Sequence, residues 1–216
     1  MLRTGRSLSN LKDRVVAVLG AQDEPGTSVA LALAREGAVL VLGGQDRHRL
    51  EALQREVEAH DGQAAVVGVH PAKRHHPSRL VETATDAFGG LDALVFAVEA
   101  RASSLSSGDL DSWERALDAG LKGFLYAISA AIPAIRERGG CLISLNKAAP
   151  DPITAASQEA RGVILRELAR ELSPEGIKTG EITVEEGAAS EEVAREVISL
   201  LTDEERGFST RPTGQG

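Results

Sequence analysis

The chain has 216 residues, of which 42% are hydrophobic, 26% charged and 3% aromatic, an ordinary balance for one globular domain. Its formal net charge of −8 argues against a nucleic-acid partner, which requires a basic face. Cys141 is the single cysteine, which excludes an intrachain disulfide, and no apolar run approaches the ~20 residues that span a membrane. We therefore expect a cytoplasmic protein without a membrane or nucleic-acid partner and without a metal site.

Short apolar segments alternate with helical patterns along the whole chain. The segments are continuous apolar runs, which is typical of strands covered on both faces. This alternation predicts an α/β protein, a Rossmann-like doubly wound parallel sheet of six or seven strands with helices on both faces. The predicted strands cover 15–19, 38–43, 64–69, 91–98, 141–146 and 177–184, and the predicted helices cover 27–36, 47–59, 78–87, 111–137 (bent near Pro133), 155–172 and 190–201.

One domain is expected over 11–207. The N-terminal stretch 1–10 has no apolar signal core and is predicted to be a flexible arm. The C-terminal stretch 208–216 is rich in Gly, Thr and Pro and is predicted to be a flexible tail.

Several segments carry a family resemblance. They are LKDRVVAVLGA (11–21), ALALAREGA (30–38), FGGLDALV (88–95), LDAGLKGFLYAISAAIPAI (117–135) and LRELARELSPEGIK (165–178). In this order along the chain, they resemble the short-chain dehydrogenases/reductases, a family of NAD(P)-dependent oxidoreductases. The resemblance covers roughly 11–207 and implies the doubly wound fold.

The turn after the first strand departs from the family pattern TGxxxGxG. Gly20 and Gly26 match its outer glycines, but Glu24 stands where the middle glycine admits the cofactor pyrophosphate. Gly20, Ala21 and Gly26 are thus expected to be vestigial cofactor-binding residues, with NAD(P) bound weakly or not at all. A second interpretation is that Pro25 and the acidic residues before it start the helix, so that the helix is capped by its own carboxylate.

The catalytic positions depart further from the family. The resemblance implies an Asn–Ser–Tyr–Lys set, and the matching positions are Gly120, Lys147, Thr154 and Gln158. The single tyrosine, Tyr126, has no lysine four residues later. A threonine hydroxyl is too weak an acid to replace an activated phenol near neutral pH. We therefore expect no catalytic residue of the family type.

Three functions follow from this reading. The first is a non-catalytic protein that acts through association, as a homodimer or as an inactive subunit of an active family member. The second is an NAD(P)-dependent oxidoreductase with a strongly diverged active site, and the third is a module that binds another small ligand in the altered cleft. The association hypothesis depends on two helices with small residues suited to close packing, namely Ala127, Ala130, Ala131, Ala134, Ala155, Ala156 and Ala160.

Two further features suggest sites more weakly. The segment HPAKRHHP (70–77) holds three of the five histidines, but its two prolines and adjacent cations are more typical of a solvated loop than of a metal site. Cys141 lies inside a predicted strand and is interpreted as a small core residue.

Overall fold

Seven parallel strands form a single sheet in the order β3-β2-β1-β4-β5-β6-β7. The protein is described by a computed structural model over residues 11–149, 151–185, 188–202 and, by its backbone, 209–213; the predicted arm 1–10 lies outside these ranges. The strands are β1 (Val15–Leu19), β2 (Val39–Gly44), β3 (Gln63–Gly68), β4 (Ala93–Phe96), β5 (Gly140–Lys147), β6 (Ile177–Val184) and β7 (Ser209–Thr213).

Helices connect the strands and cover both faces of the sheet. The predicted α/β architecture is confirmed, and its strand order is that of doubly wound dinucleotide-binding sheets. The helices are α1 (Gly26–Arg35), α2 (Arg47–Glu58), α3 (Ser78–Phe88), α4 (Leu110–Leu117), α5 (Gly123–Arg136), α6 (Pro152–Leu172) and α7 (Ser190–Thr202).

Alternate residues of β1 supply two separate cores. Val16 and Val18 of β1 pack in a cluster with residues of α1, α2 and α7, whereas Val15, Ala17 and Leu19 pack with residues of α3, α5 and α6. Both faces of β1 are therefore buried, which explains why its sequence is a continuous apolar run.

The strand order reverses direction between β1 and β4. β2 and β3 extend the sheet on one side of β1, and β4 to β7 extend it on the other. The helices that connect β1 to β2 and β2 to β3 lie on one face, whereas those that connect β4 to β5 and β5 to β6 lie on the other, so a crevice forms outside the carboxyl ends of the strands at this switch point. The loops after β1, β4, β5 and β6 are the elements placed to build a site there.

Two expectations are corrected by the fold. Residues 209–213, expected in a flexible tail, form β7 and pair with β6 in parallel. The helix predicted over 111–137 is interrupted by a π-helical turn, Asp118–Lys122, and α5 continues through Pro133 to Arg136. At the centre of this turn, a β-carbon on Gly120 would lie only 2.8 Å from the Ser157 hydroxyl, so the missing side chain allows α6 to approach.

Candidate active site

A cleft of about 570 Å³ lies at the carboxyl ends of β5 and β6 and beside the turn after β1. Ligands of doubly wound sheets bind at this edge, so we take the cleft as the candidate active site. It brings together the β1–α1 turn, the loop after β4 and the start of α7. The polar residues in its lining are Glu24, Arg101, Lys147, Glu185 and Ser190.

The β1–α1 turn keeps the tight backbone corner that its glycines predict. Gly20 has φ +97°, and a β-carbon there would lie 2.6 Å from the carbonyl carbon and oxygen of Ala97. A β-carbon on Gly26 would clash with the Gly20 carbonyl oxygen. Ala21 is fully buried, and its carbonyl accepts a hydrogen bond from the Thr27 hydroxyl at 2.8 Å. The three predicted cofactor residues therefore lie together where the chain turns into α1.

Glu24 lies at the start of α1 and also lines the cleft. Its carboxylate accepts hydrogen bonds from the Ser28 hydroxyl at 2.6 Å and from the Ser28 backbone N–H at 3.4 Å. The first turn of α1 thus receives a carboxylate from its own chain, as the second interpretation of this turn predicts. Next to it, Asp23 forms an ion pair with Arg49 of α2.

Two of the four catalytic positions serve internal contacts. Thr154 is buried, and its hydroxyl lies 2.7 Å from an Asp151 carboxylate oxygen and 2.9 Å from the Ala100 carbonyl. The side-chain amide of Gln158 donates to the Lys147 carbonyl at 2.8 Å. These bonds hold the loop after β4 and the end of β5 against the first two turns of α6.

Asp151 is the N-cap of α6 and the centre of this contact. It accepts hydrogen bonds from the backbone N–H groups of Thr154, at 2.8 Å, and of Ala102, at 3.1 Å. Burial alone would raise the pKa of this carboxyl, but the hydrogen bonds outweigh it and lower the pKa. Asp151 is therefore ionised at neutral pH and ties the start of α6 to the loop after β4.

Lys147 is the one member of the four positions that lines the cleft, all four being among the described residues. Its side chain is 42% exposed, and its ammonium nitrogen lies 4.0 Å from a Glu99 carboxylate oxygen. Arg101 donates to the same oxygen at 2.7 Å. The structure thus brings the four positions close together in one corner, and Lys147 is the ionisable side chain among them that reaches the cleft.

A buried polar network lies beneath this corner, on the α6 side of the sheet. Asn146 accepts hydrogen bonds from the Ser144 hydroxyl and the Arg161 guanidinium, and it donates one to the Glu181 carboxylate. Arg161 is 2% exposed, and its guanidinium lies 5.1 Å from the centroid of the Phe96 ring. Sequence reasoning missed this network, although Arg161 interrupts the apolar stripe of α6.

Burial shifts both charged members of the network toward neutrality. It lowers the pKa of Arg161 to about 10, against the attraction of Glu181. Burial also raises the pKa of Glu181, and Glu159 adds to the shift, whereas Arg161, Arg166 and the hydrogen bond from Asn146 oppose it. Burial therefore destabilises the charged forms of both Arg161 and Glu181.

The histidine-rich loop connects β3 to α3. The His70 backbone N–H donates to the His76 ring at 3.2 Å, and burial together with Lys73 and Arg79 lowers the pKa of His76. Within the part of the chain that the structure describes, no three His, Cys, Asp or Glu side chains are grouped to hold a metal ion.

Cys141 is buried in β5, which raises its pKa to about 12 and confirms its interpretation as a core residue.

Comparison with known proteins agrees with this architecture. A sequence model of the short chain dehydrogenase family matches residues 14–185. The chain belongs to that family. It is 31% identical over 184 residues to an uncharacterized oxidoreductase of Staphylococcus saprophyticus, covering 80% of this chain and 78% of the relative. It is 29% identical over 203 residues to one of Listeria monocytogenes, covering 90% and 80%.

Two solved structures share the fold of this short-chain dehydrogenase. A metagenomic short-chain oxidoreductase in complex with NADP superposes with a TM-score of 0.86 at 21% identity, covering 96% of this chain and all of that one. An alcohol dehydrogenase from Thermococcus sibiricus, complexed with 5-hydroxy-NADP, superposes with a TM-score of 0.83 at 17% identity, covering 92% and 95%.

These comparisons correct the sequence-based expectations of cofactor and activity. The prediction that NAD(P) binds weakly or not at all is wrong, because the chain belongs to a dehydrogenase family and both fold neighbours were solved with NADP or a derivative. The expected non-catalytic role finds no support, and the oxidoreductase alternative fits the family and its relatives better. The turn at Gly20 and Gly26 is retained despite Glu24 and the four changed positions.

Two expectations concern the location of the protein and its partner. Of the helices in the described ranges, none has the length and apolar character needed to cross a bilayer. The cytoplasmic location and the protein partner stay predictions.

Proposed function

We propose that this short-chain dehydrogenase is an NAD(P)-dependent oxidoreductase that interconverts a carbonyl compound and an alcohol in the cleft beside β5 and β6. The observation that carries the proposal is that one cleft holds both the end of the glycine turn, at Glu24, and an ionisable group from the catalytic corner, Lys147. A hydride-transfer site needs these two parts side by side, one for the nucleotide and one for the reacting oxygen.

The β1–α1 turn supplies the features that suit a dinucleotide. Its corner at Gly20 and Gly26 brings the backbone close to the space outside β1. The N-terminus of α1 offers the positive end of a helix dipole, while its Thr27 and Ser28 N–H groups donate to the Asp23 carbonyl and the Glu24 carboxylate. The dipole would favour the pyrophosphate at this corner, and the nicotinamide would supply or accept the hydride.

Glu24 works against this binding mode and would set its strength. Two like charges about 4 Å apart repel by roughly 1–4 kcal/mol at the dielectric constants of water and of a protein surface. The same cleft also contains Arg101, whose positive charge offsets part of that repulsion. Nucleotide binding and a carboxylate at the helix start are therefore compatible.

Calorimetric titration with NADPH and with NADH tests the proposal. We expect at least one nucleotide to bind with a micromolar dissociation constant, equivalent to about −8 kcal/mol. An absence of heat with both nucleotides at millimolar concentration would overturn the proposed function.

Substitution of the turn carboxylate tests the electrostatic argument separately. Because Glu24→Gln removes one negative charge next to the pyrophosphate site, we expect roughly tenfold tighter nucleotide binding, or about 1.4 kcal/mol. Glu56→Gln makes the same charge change on the exposed side of α2 and should leave the affinity unchanged. Equal gains in both variants would assign the effect to net charge rather than to the position of Glu24.

Association through α5 and α6 is a proposal of its own, either as a homodimer or with another short-chain dehydrogenase subunit. It is supported by two exposed apolar side chains, Leu125 of α5 (40% exposed) and Val163 of α6 (49% exposed). Light scattering should give a mass above that of the 22.7 kDa chain. A homodimer should shift toward the monomer in the double variant Leu125→Glu/Val163→Glu, and a strictly monomeric protein that retains no partner would contradict the proposal.

A further inference from the structure

We infer that Lys147 is the catalytic proton donor of this enzyme, taking the place of the family's tyrosine. The inference rests on the proposed function, since it assigns a role within hydride transfer to a carbonyl substrate. It follows from which side chains reach the cleft, how the lysine backbone is held and which groups there can release a proton.

Position is the first argument. Lys147 is the last residue of β5, and its ammonium lies in the same cleft as the end of the nucleotide turn. Thr154, which occupies the tyrosine position, is 4% exposed and is engaged by Asp151 and Ala100. The Thr154 hydroxyl is thus directed into the protein, and we assign the acid function to Lys147 at the end of β5.

Chemistry is the second argument. A general acid must carry a proton at the working pH and be able to release it to the reacting oxygen. A lysine ammonium meets both conditions, whereas the guanidinium of Arg101 does not deprotonate in proteins and the hydroxyl of Ser190 is too weak an acid. Among the described residues of the lining, the remaining polar groups are the carboxyls of Glu24 and Glu185. Carboxyls are ionised near neutral pH and accept rather than donate protons.

The backbone of Lys147 is fixed from two sides. It pairs with Val184 in the β5–β6 register, and its carbonyl accepts the hydrogen bond from Gln158 of α6. Gln158, at the position of the family's lysine, therefore acts as a positioning residue for the new one. Beyond the backbone, Glu99 lies 4.0 Å from the ammonium, and its charge is shared with Arg101.

The reduction step balances with these groups. The bound nicotinamide would supply a hydride to the carbonyl carbon, and the carbon–oxygen π bond would break toward oxygen. That oxygen takes a proton from Lys147 Nζ, which yields the alcohol, the oxidised nucleotide and a neutral amine. Lys147 regains its proton from water, to which its partly exposed side chain has access.

The experiment compares wild type with Lys147→Met, Lys147→Arg and the control Lys12→Met. Lys12 is exposed and precedes β1, so it lies at the amino ends of the strands, at the opposite end of the sheet from the cleft. NADPH affinity is measured by calorimetry and stability by urea unfolding. NADPH oxidation is followed with benzaldehyde, cyclohexanone and ethyl acetoacetate as carbonyl probes, from pH 6 to pH 10.

We expect all four proteins to unfold at similar urea concentrations and to bind NADPH within about threefold of one another. Because a general acid contributes typically 10²–10⁴-fold, kcat should fall at least ~100-fold in Lys147→Met and in Lys147→Arg, which keeps the charge but releases no proton.

The outcomes separate the two claims. A wild type that binds neither NADPH nor NADH refutes the proposed function itself. A wild type that binds NADPH but reduces no probe refutes the acid assignment and leaves nucleotide binding intact. Near wild-type kcat in Lys147→Met overturns the inference, and recovery in Lys147→Arg would replace proton donation by a purely electrostatic role.

Discussion

On β5, Asn146 lies against α6 and is 3% exposed, whereas the side chain of the next residue, Lys147, is 42% exposed in the cleft. Successive side chains of a strand point to opposite faces, so two adjacent polar residues enter different environments. The Asn146 side joins groups that bond to one another, and the Lys147 side leaves an ammonium group open to a ligand. The end of one strand can therefore place a stabilising residue on one face of the sheet and a residue available to a ligand on the other.

The buried network stabilises the fold only while its hydrogen bonds between Asn146, Arg161 and Glu181 are kept. Removing charges from water costs several kcal/mol per ion, and Arg161 and Glu181 offset that cost through Asn146. The cleft face has little such dependence, since its charges remain solvated. Substitutions on the two faces should therefore separate loss of stability from loss of activity.

The largest expected effect is on the buried face. Arg161→Met should lower the free energy of unfolding by about 3–5 kcal/mol, because it removes the buried guanidinium that bonds to Asn146 and attracts Glu181, which leaves that buried carboxylate less compensated. Urea unfolding measures the loss. Arg170→Met, on the same helix but in an exposed ion pair with Glu167, should cost less than about 1 kcal/mol. Similar losses in the two variants would remove the contrast between the faces.

An intermediate effect is expected at Asp151, where the two faces meet. Asp151→Ala should cost about 1–2 kcal/mol through the lost N-cap and should also reduce kcat/KM, since the loop that carries Glu99 and Arg101 loses its anchor. Asp109→Ala removes a comparable cap from α4, where Asp109 accepts from the Ser112 N–H at 3.0 Å. That control should lose stability without losing activity; an equal loss of kcat/KM would refute the anchoring role.

The smallest effect is a pH dependence from Glu181. Its pKa is raised in the folded state, so the folded protein holds this proton more tightly than the unfolded chain. Stability from this group is complete below the ordinary carboxyl pKa of about 4.5 and is lost as pH rises through the raised pKa. The stability of Glu181→Gln relative to wild type should therefore increase as pH rises. Urea unfolding from pH 4 to pH 8 measures this trend, and a constant difference would contradict it.

Much of the site could be located from the sequence because its parts are local. Gly20 and Gly26 mark a corner that depends on neighbouring backbone atoms, and the end of an apolar run places Lys147 at the carboxyl edge of β5. The expectation of weak or absent cofactor binding came from Glu24, whereas the expected loss of catalysis came from four changed positions, of which Lys147 lines the cleft. Thr154 and Gln158 are absorbed by internal hydrogen bonds, so their identity says little about what the open space can do.

The sequence by itself determined the layered fold, since continuous apolar strands separated by amphipathic helices have few ways to bury both faces of a sheet. It also determined the β1–α1 corner and the buried state of Cys141. Only the tertiary structure decided that Arg161 meets Glu181 through Asn146, that a π-helical turn divides α4 from α5, and that 209–213 form β7. These features depend on contacts between residues far apart in the chain, whose distances and orientations are set by packing and are invisible to local pattern.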